Sequence, residues 1–315
     1  MTNRFLPFLL AVALFGAIDP TSEVQLVTTA TVGPGAVGPK VIRAQILLAC
    51  GRFSPGEIDG KYGDDLSIAI KGYEEVHGLT VDGVIGPEMW KLLNVHTGPL
   101  LVPYVVTAAD VKGPFEPLPA KVEDQAKLKW MGYESAQEEL AEKFHMSPKL
   151  LAQLNPSATF TKAGERLIVA NVRLAPAPRA LKVVVSKSKR TVTAMGAGEK
   201  VIAQYPATIG GPHDPLPVGD WKIVGIVHNP WFYWDPIHFW NVDPDKAPEK
   251  LPPGPNNPAG SVWMGLSKAH YGIHGTPDPG HIHYGESYGC IRLTNWDALD
   301  LSRMVVVGTP AILEE

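Results

Sequence analysis

A histidine and a cysteine sixteen residues apart, His274 and Cys290, constrain this 315-residue chain more than any other feature. A strand-like run ends at the histidine, a loop rich in Pro, Gly and His follows, and a second strand-like segment begins after the cysteine. A thiolate is a strong nucleophile, but a free cysteine is mostly protonated at neutral pH and needs a base or a positive environment. His274 can supply that base if the loop folds back, so the sequence predicts a Cys–His site for acyl transfer.

Gly289 lies directly before the cysteine. Glycine adopts backbone conformations that other residues avoid, so the chain can turn tightly here and bring amide N–H groups near the sulfur. Such N–H groups can hold the oxyanion of a tetrahedral intermediate. We therefore predict that the N–H groups of Gly289 and Cys290 are the oxyanion donors.

Fixed residues on both sides of this pair resemble the signature of the L,D-transpeptidases of bacterial peptidoglycan. The matching segments are His274-Gly275-Thr276, Ser287-x-Gly289-Cys290-Ile291-Arg292, Asn295-x-Asp297-Ala298 and Val307-Gly308-Thr309-Pro310. The chain has Tyr288 where many members have histidine. Several residues at fixed offsets make such a signature specific. The resemblance covers residues 180–315 and implies a mainly-β catalytic domain there.

The resemblance also implies a reaction and its substrate. Cys290 would attack a stem tetrapeptide of peptidoglycan at the bond between the third residue and the terminal D-alanine, and a thioester acyl-enzyme would remain. An amine from another stem's diamino acid, or from a lipoprotein lysine, would then resolve the thioester. A backbone carbonyl near Gly275 would orient His274, and no cofactor is implied.

Arg292 is predicted to bind a carboxylate of the substrate, since guanidinium groups bind carboxylates in a bidentate way. The alternative is a structural ion pair between Arg292 and Asp297. Further candidates for substrate binding are Ser287, Tyr288, His281 and Trp234. Trp234 belongs to an aromatic run within the long Pro-rich segment 228–260, and a loop of this length indicates a lid or a binding element.

Histidines near the cysteine raise the alternative of a zinc hydrolase. The four within fourteen residues are His270, His274, His281 and His283. Against zinc, Cys290 would have no role, and no carboxylate has the spacing of a zincin base. We therefore predict a site without metal.

The N-terminus predicts export. In residues 1–18 a basic Arg4 precedes an apolar run that is too short to span a bilayer comfortably, which is typical of a signal peptide. A buried helix is the alternative for this segment, and residues 19–38 are interpreted as a linker. The expected location is the periplasm or cell envelope, with no stable membrane span after signal removal. The net charge of −4 gives no basic footprint for nucleic acid.

Residues 39–95 predict three short helices joined by two Asp-Gly turns, at Asp59-Gly60 and Asp82-Gly83. This pattern resembles the small three-helix peptidoglycan-binding domain. Cys50 falls on the first helix and is interpreted as a buried apolar residue rather than a disulfide partner of Cys290.

Residues 100–172 predict a strand, two helices and a strand. Ser135 and Glu138 have the spacing of a capping box at the start of the first helix. The order resembles a LysM glycan-binding module, with a spacer domain as the alternative. The predicted fold is thus multidomain: a small all-α domain, a small α+β LysM-like module and a mainly-β catalytic domain.

Three functions remain to be separated. The first is a transpeptidase acting on stem peptides and glycan strands, with a lipoprotein as a further acceptor. The second is an L,D-carboxypeptidase or hydrolase with the same site, and the third is a cell-wall-binding protein without activity. The intact pair of His274 and Cys290 argues against the third, and the sequence does not separate the first two.

Overall fold

The structure, a computed structural model, describes residues 20–96, 98–284 and 287–315. The predicted signal peptide, residues 1–18, lies outside these ranges. Within them, every helix is too short or too polar to cross a membrane.

Helices dominate the first part of the described chain. They are α1 (Pro20–Gln25), α2 (Pro39–Cys50), α3 (Asp64–His77) and α4 (Pro87–Leu93). The last three confirm the predicted three helices. Both α2 and α4 begin with proline, whose missing N–H costs nothing in the first turn. The structure confirms that Cys50 is unpaired and partly buried in the core at the end of α2.

The next part has the predicted order of strand, helix, helix and strand. Its elements are β1 (Leu101–Val105), α5 (Val122–Gln125), α6 (Ala136–Lys143), α7 (Pro148–Leu154) and β2 (Arg166–Ala170). Only the short α5 lies outside that prediction. The strands β1 and β2 pair antiparallel. The Ser135 hydroxyl accepts a hydrogen bond from the Glu138 N–H at the start of α6, as the capping spacing predicts.

One continuous hydrophobic core joins these two parts, with buried residues from Val24 to Ala170. The interpretation of residues 19–38 as a linker is therefore wrong. Val24 and Val32 are fully buried, and Val32 forms a β-bridge with Ile85. These apolar side chains cover the open face of the helices, and removing them from water favours the packed state. We call residues 20–172 the N-terminal unit.

Residues 180–315, the C-terminal unit, are mainly β as predicted. The strands are β3 (Lys182–Ser186), β4 (Thr191–Met195), β5 (Val201–Pro206), β6 (Gly219–His228), β7 (Phe232–Trp234), β8 (Glu249–Leu251), β9 (Val262–Leu266), β10 (Gly272–His274), β11 (Ile291–Arg292) and β12 (Pro310–Glu314), with helix α8 at Asn295–Met304. Among the described residues, eight strands form one sheet in the order β11-β10-β9-β6-β12-β3-β4-β5, and β7 pairs separately with β8.

The two units meet through buried polar contacts on α8, the helix that follows β11. The guanidinium of Arg52 donates to Asp300 at 3.0 Å, and both side chains are more than nine-tenths buried. Ser54 donates its hydroxyl hydrogen to Asp297 at 2.7 Å. Burial raises the pKa of Asp297 to about 7, and its hydrogen bonds oppose that rise. The N-terminal unit therefore packs on α8, the helix that begins at Asn295, shortly after Cys290.

Candidate active site

Two neighbouring strands bring the histidine and the cysteine segments together. β10 and β11 pair in parallel, with Ile273 opposite Ile291 and His274 opposite Arg292. Alternate residues of a strand share one face of a sheet. Cys290 precedes β11 by one residue, so it enters the strand on the side where His274 and Arg292 lie. The positive charge of Arg292 acts on both groups: it opposes protonation of the His274 ring and favours the Cys290 thiolate.

His274 is a buried, neutral imidazole in a defined tautomer. Its Nδ1 lies 2.6 Å from the carbonyl oxygen of Gly275. Because a carbonyl oxygen only accepts hydrogen bonds, Nδ1 carries the proton and Nε2 is free to accept one. Burial, with Arg292 adding to it, lowers the pKa of His274 to about 3. The ring also stacks on Trp263 at a centroid distance of 5.1 Å.

Cys290 is a half-buried free thiol. Its Sγ lies 3.6 Å from the carbonyl oxygen of His270. Burial raises the pKa of Cys290, while the Gly272 backbone and Arg292 act in the opposite direction. Burial therefore favours the neutral form of both the Cys290 thiol and the His274 imidazole.

Gly289 holds the turn before the cysteine. Its φ is 89°, in the left-handed region that other residues rarely adopt. A Cβ at this position would lie 2.7 Å from Cε1 of Tyr271. Glycine is therefore required here both by the backbone conformation and by the close approach of the Tyr271 ring.

Ser287 and Tyr288 form part of this turn. Ser287 is buried and donates its hydroxyl hydrogen to the carbonyl oxygen of Cys290, so its hydroxyl supports the backbone of the turn. Its contact with the substrate remains a prediction. The Tyr288 hydroxyl donates to Asn241 at 2.7 Å, and its ring meets Phe239 edge to face at 4.6 Å. Tyr288 thus connects the turn to the aromatic run within residues 228–260.

Arg292 is not paired with Asp297, so that alternative is wrong. Asp297 lies buried at the unit interface and accepts a hydrogen bond from Ser54 instead. Across residues 20–96, 98–284 and 287–315, the guanidinium of Arg292 makes no hydrogen bond or ion pair with another side chain.

Trp234 and His281 lie elsewhere than the sequence predicts for substrate contacts. Trp234 is 7% exposed and packs in a small core with Met131 and Leu251, because alternation along β7 turns it away from the exposed Tyr233. His281 is exposed, and its Nδ1 lies 2.8 Å from Asp278. None of its contacts in the described part of the chain is with His274 or Cys290.

The four neighbouring histidines face different partners. His274 contacts Gly275, and His281 contacts Asp278. His283 Nε2 lies 3.7 Å from Asp64 Oδ2, and the rings of His270 and His238 are 5.1 Å apart. Among the residues that the structure describes, no three His, Cys, Asp or Glu side chains are grouped to hold a metal ion.

The sequence patterns assign no role to three residues that support the histidine. Trp263 stacks on His274, and Asn295 packs against Gly275. Glu142 of α6 accepts a hydrogen bond from the Asn295 side chain at 2.9 Å. Asn295 belongs to the matched signature and could have been found there. No local pattern links Glu142 to a residue 153 positions later.

Comparison with known proteins finds two matching domain families and several relatives. Residues 181–313 match the L,D-transpeptidase catalytic domain family, and residues 37–93 match the peptidoglycan binding domain family. YkuD of Bacillus licheniformis, named as an L,D-transpeptidase, is 30% identical over 174 residues, which are 55% of this chain and 89% of that protein. YkuD of Bacillus subtilis strain 168 is also 30% identical over 174 residues, which are 54% of this chain and 88% of that protein.

The chain belongs to the L,D-transpeptidase family. Among solved structures, an L,D-transpeptidase from Mycobacterium smegmatis is 22% identical, covers 48% of this chain and 64% of its own, and gives a TM-score of 0.35. Membership rests on the Bacillus relatives and on the matched catalytic domain.

This L,D-transpeptidase is an enzyme with its catalytic domain in the C-terminal unit and a peptidoglycan-binding domain in the N-terminal unit. Both assignments confirm the sequence prediction. A cell-envelope or extracellular location follows, because both domains belong to families that act on or bind peptidoglycan.

Proposed function

We propose that this enzyme takes the tripeptidyl group of a stem tetrapeptide and transfers it to an amine through a thioester on Cys290. The sulfur attacks the carbonyl carbon at the L-centre of the third stem residue, and the bond to the terminal D-alanine breaks. The amine of a second stem's diamino acid then attacks the thioester, forms a new amide and releases the thiol. The family assignment supports the transfer reaction. The positions of His274 and Cys290 on paired strands support their proposed roles as base and nucleophile.

His274 moves the proton in both halves of the cycle. Nε2 takes the thiol proton as the C–S bond forms and gives it to the amine of D-alanine as the C–N bond breaks. In the second half Nε2 takes a proton from the acceptor amine and returns it to the departing sulfur. The hydrogen bond from Nδ1 to Gly275 supports this role, because it keeps Nε2 unprotonated at rest.

The remaining roles follow from position. The guanidinium of Arg292 is proposed to bind a substrate carboxylate, which its lack of a partner in the described ranges supports. The N–H groups of Gly289 and Cys290 are proposed to hold the oxyanion, and the left-handed turn at Gly289 supports this. Tyr288 remains a proposed substrate contact at the edge of the aromatic segment.

One observation carries the proposal: the parallel pairing of β10 with β11 brings three groups to one side of one sheet edge. They are a neutral imidazole of fixed tautomer, a thiol, and a guanidinium that has no side-chain partner among the described residues. A base, a nucleophile and a carboxylate-binding group are what acyl transfer from a stem terminus needs.

Incubating the purified protein with defined tetrapeptide muropeptides tests the transfer. We expect crosslinked dimers and free D-alanine, identified by mass. Free tripeptide without dimers would make water the second nucleophile and replace the transferase with the hydrolase alternative. A lysine-terminated peptide added to the same reaction tests the lipoprotein acceptor, which requires a new product whose mass is that of the donor plus the peptide, less that of the released D-alanine.

We also propose that residues 100–172 bind glycan strands as a LysM-like module, and that residues 1–18 direct the chain to the periplasm. The observed order of β1, α6, α7 and β2 supports the module. Hydrogen exchange of the full chain with soluble, peptide-free glycan should show new protection in α6 and α7. Protection confined to residues 39–95 would leave 100–172 as a spacer.

A further inference from the structure

The side-chain amide of Asn295 is fixed by three hydrogen bonds at the first residue of α8. Its Oδ1 accepts from the Ser261 N–H at 2.8 Å. Its Nδ2 donates to the carbonyl oxygen of Pro255 at 3.1 Å and to Glu142 Oε1 at 2.9 Å. Asn295 is 1% exposed, so a lost partner would leave a buried polar group unpaired. Both amide hydrogens and the oxygen are used, which determines the orientation of the amide.

This amide lies directly against the residue that orients the catalytic histidine. A Cβ at Gly275 would lie 2.1 Å from Asn295 Oδ1, so the amide and the Gly275 backbone are in close contact. The carbonyl oxygen of the same Gly275 receives the hydrogen bond from His274 Nδ1. A shift of the Asn295 amide would therefore move the carbonyl that fixes the His274 ring.

Glu142 reaches this amide from the other unit of the protein. It lies on α6 in the N-terminal unit, and its Oε1 also accepts a hydrogen bond from the Tyr133 hydroxyl at 3.1 Å. Tyr133 and Asn295 thus hold one carboxyl oxygen between the two units. No other described side chain of the N-terminal unit donates to or accepts from Asn295.

We propose that Glu142 is a positioning residue for the transpeptidase reaction. It acts through Asn295 and Gly275 to fix the orientation of the His274 ring relative to Cys290. The N-terminal unit then supplies part of the support of the active site in addition to binding the wall. This inference rests on the proposed roles of His274 and Cys290.

The test compares two substitutions at one position. Glu142→Leu removes the acceptor oxygen, whereas Glu142→Gln keeps an amide oxygen where Oε1 lies. We expect Glu142→Leu to lower kcat about tenfold or more with little change in KM, because small misplacements of a catalytic group are costly. Glu142→Gln should stay close to wild type. Alkylation of Cys290 by iodoacetamide, followed on its own peptide by mass across pH, should slow at neutral pH in Glu142→Leu only.

Glu138→Leu is the matched control. Glu138 lies one turn earlier on α6 and accepts a hydrogen bond across the same interface from Asn256 at 2.8 Å. We expect it to keep the wild-type kcat and alkylation profile. Equal losses of kcat in Glu138→Leu and Glu142→Leu would mean that any disturbance of the interface between the units lowers activity, which would overturn the inference. Wild-type behaviour of Glu142→Leu would overturn it as well. So would a Glu142→Gln variant as impaired as Glu142→Leu.

Two further variants keep the result decisive. If Glu142→Leu does not fold, Asn295→Asp removes the amide donor to Glu142 and to the Pro255 carbonyl oxygen while keeping the shape of the side chain. It should show a loss of kcat and slower alkylation at least as large. Cys290→Ala is measured in parallel. If Cys290→Ala kept its turnover, the proposed function would be overturned. The alkylation rates of Cys290 in the Glu142 variants would still test the positioning role independently of turnover.

Discussion

Cys290→Ala should lower turnover of tetrapeptide muropeptides by about a thousandfold or more, since removing a nucleophile disables the whole acyl-transfer unit. Alanine has no group that can form the thioester, and the described neighbours of Cys290 offer no second thiol. The variant should stay folded, because the half-buried side chain loses only its sulfur. Product formation is followed by mass, with circular dichroism as the check on folding.

Cys50→Ala is the control for this loss. Cys50, at the end of α2, is the other free cysteine of the chain. Its sulfur contacts the backbone carbonyl of Asn171 and the backbone N–H of Arg173. We expect turnover to remain at the wild-type level. Substantial activity in Cys290→Ala, or its loss in Cys50→Ala alone, would contradict the thiol assignment.

Asp300→Ala should lower the free energy of unfolding by about 3–5 kcal/mol, the cost of removing one partner from a buried ion pair. The guanidinium of Arg52 would remain buried without its carboxylate, at an interface where it is 8% exposed. The hydroxyl of Tyr205, which donates to Asp300 at 2.8 Å, would lose its acceptor as well. Urea unfolding of the wild type and the variant measures the difference.

Glu75→Ala provides the matched control, because it breaks an ion pair between the same two units at the surface. Glu75 and Lys189 are 2.9 Å apart and more than half exposed. Such exposed pairs contribute about 1 kcal/mol or less. If Asp300→Ala changed stability no more than Glu75→Ala, the buried pair would not be what holds the units together.

The sequence predicts those features that depend on local pattern. Capping residues and apolar spacing indicate helices such as α2 and α6, and the strand-like runs beside His274 and Cys290 correspond to β10 and β11. The signature around Cys290 predicts the residues that β10 and β11 bring together. The family is likewise accessible, because fixed residues at fixed offsets are a property of the sequence alone.

Features that depend on packing between distant segments could not be predicted in this way. The segment before α2 has the composition of a linker, yet Val24 and Val32 are buried because the helices leave an open apolar face. Trp234 is buried because of its register in the β7–β8 hairpin, and a run of aromatic residues does not specify which one turns inward. The contact from Glu142 to Asn295 depends on how two units dock.

The docking of the N-terminal unit on α8 also means that the peptidoglycan-binding domain and the catalytic domain are joined by packed contacts. In an enzyme whose binding module is joined by a flexible linker, the catalytic domain can reach any stem within the length of that linker. The effective concentration of the catalytic domain at one stem falls as the linker becomes longer. Here the Arg52–Asp300 pair and the other buried contacts replace such a linker. The distance between the peptidoglycan-binding domain and Cys290 is then set by folded contacts, and the length of a linker does not enter the effective concentration of one domain at the other.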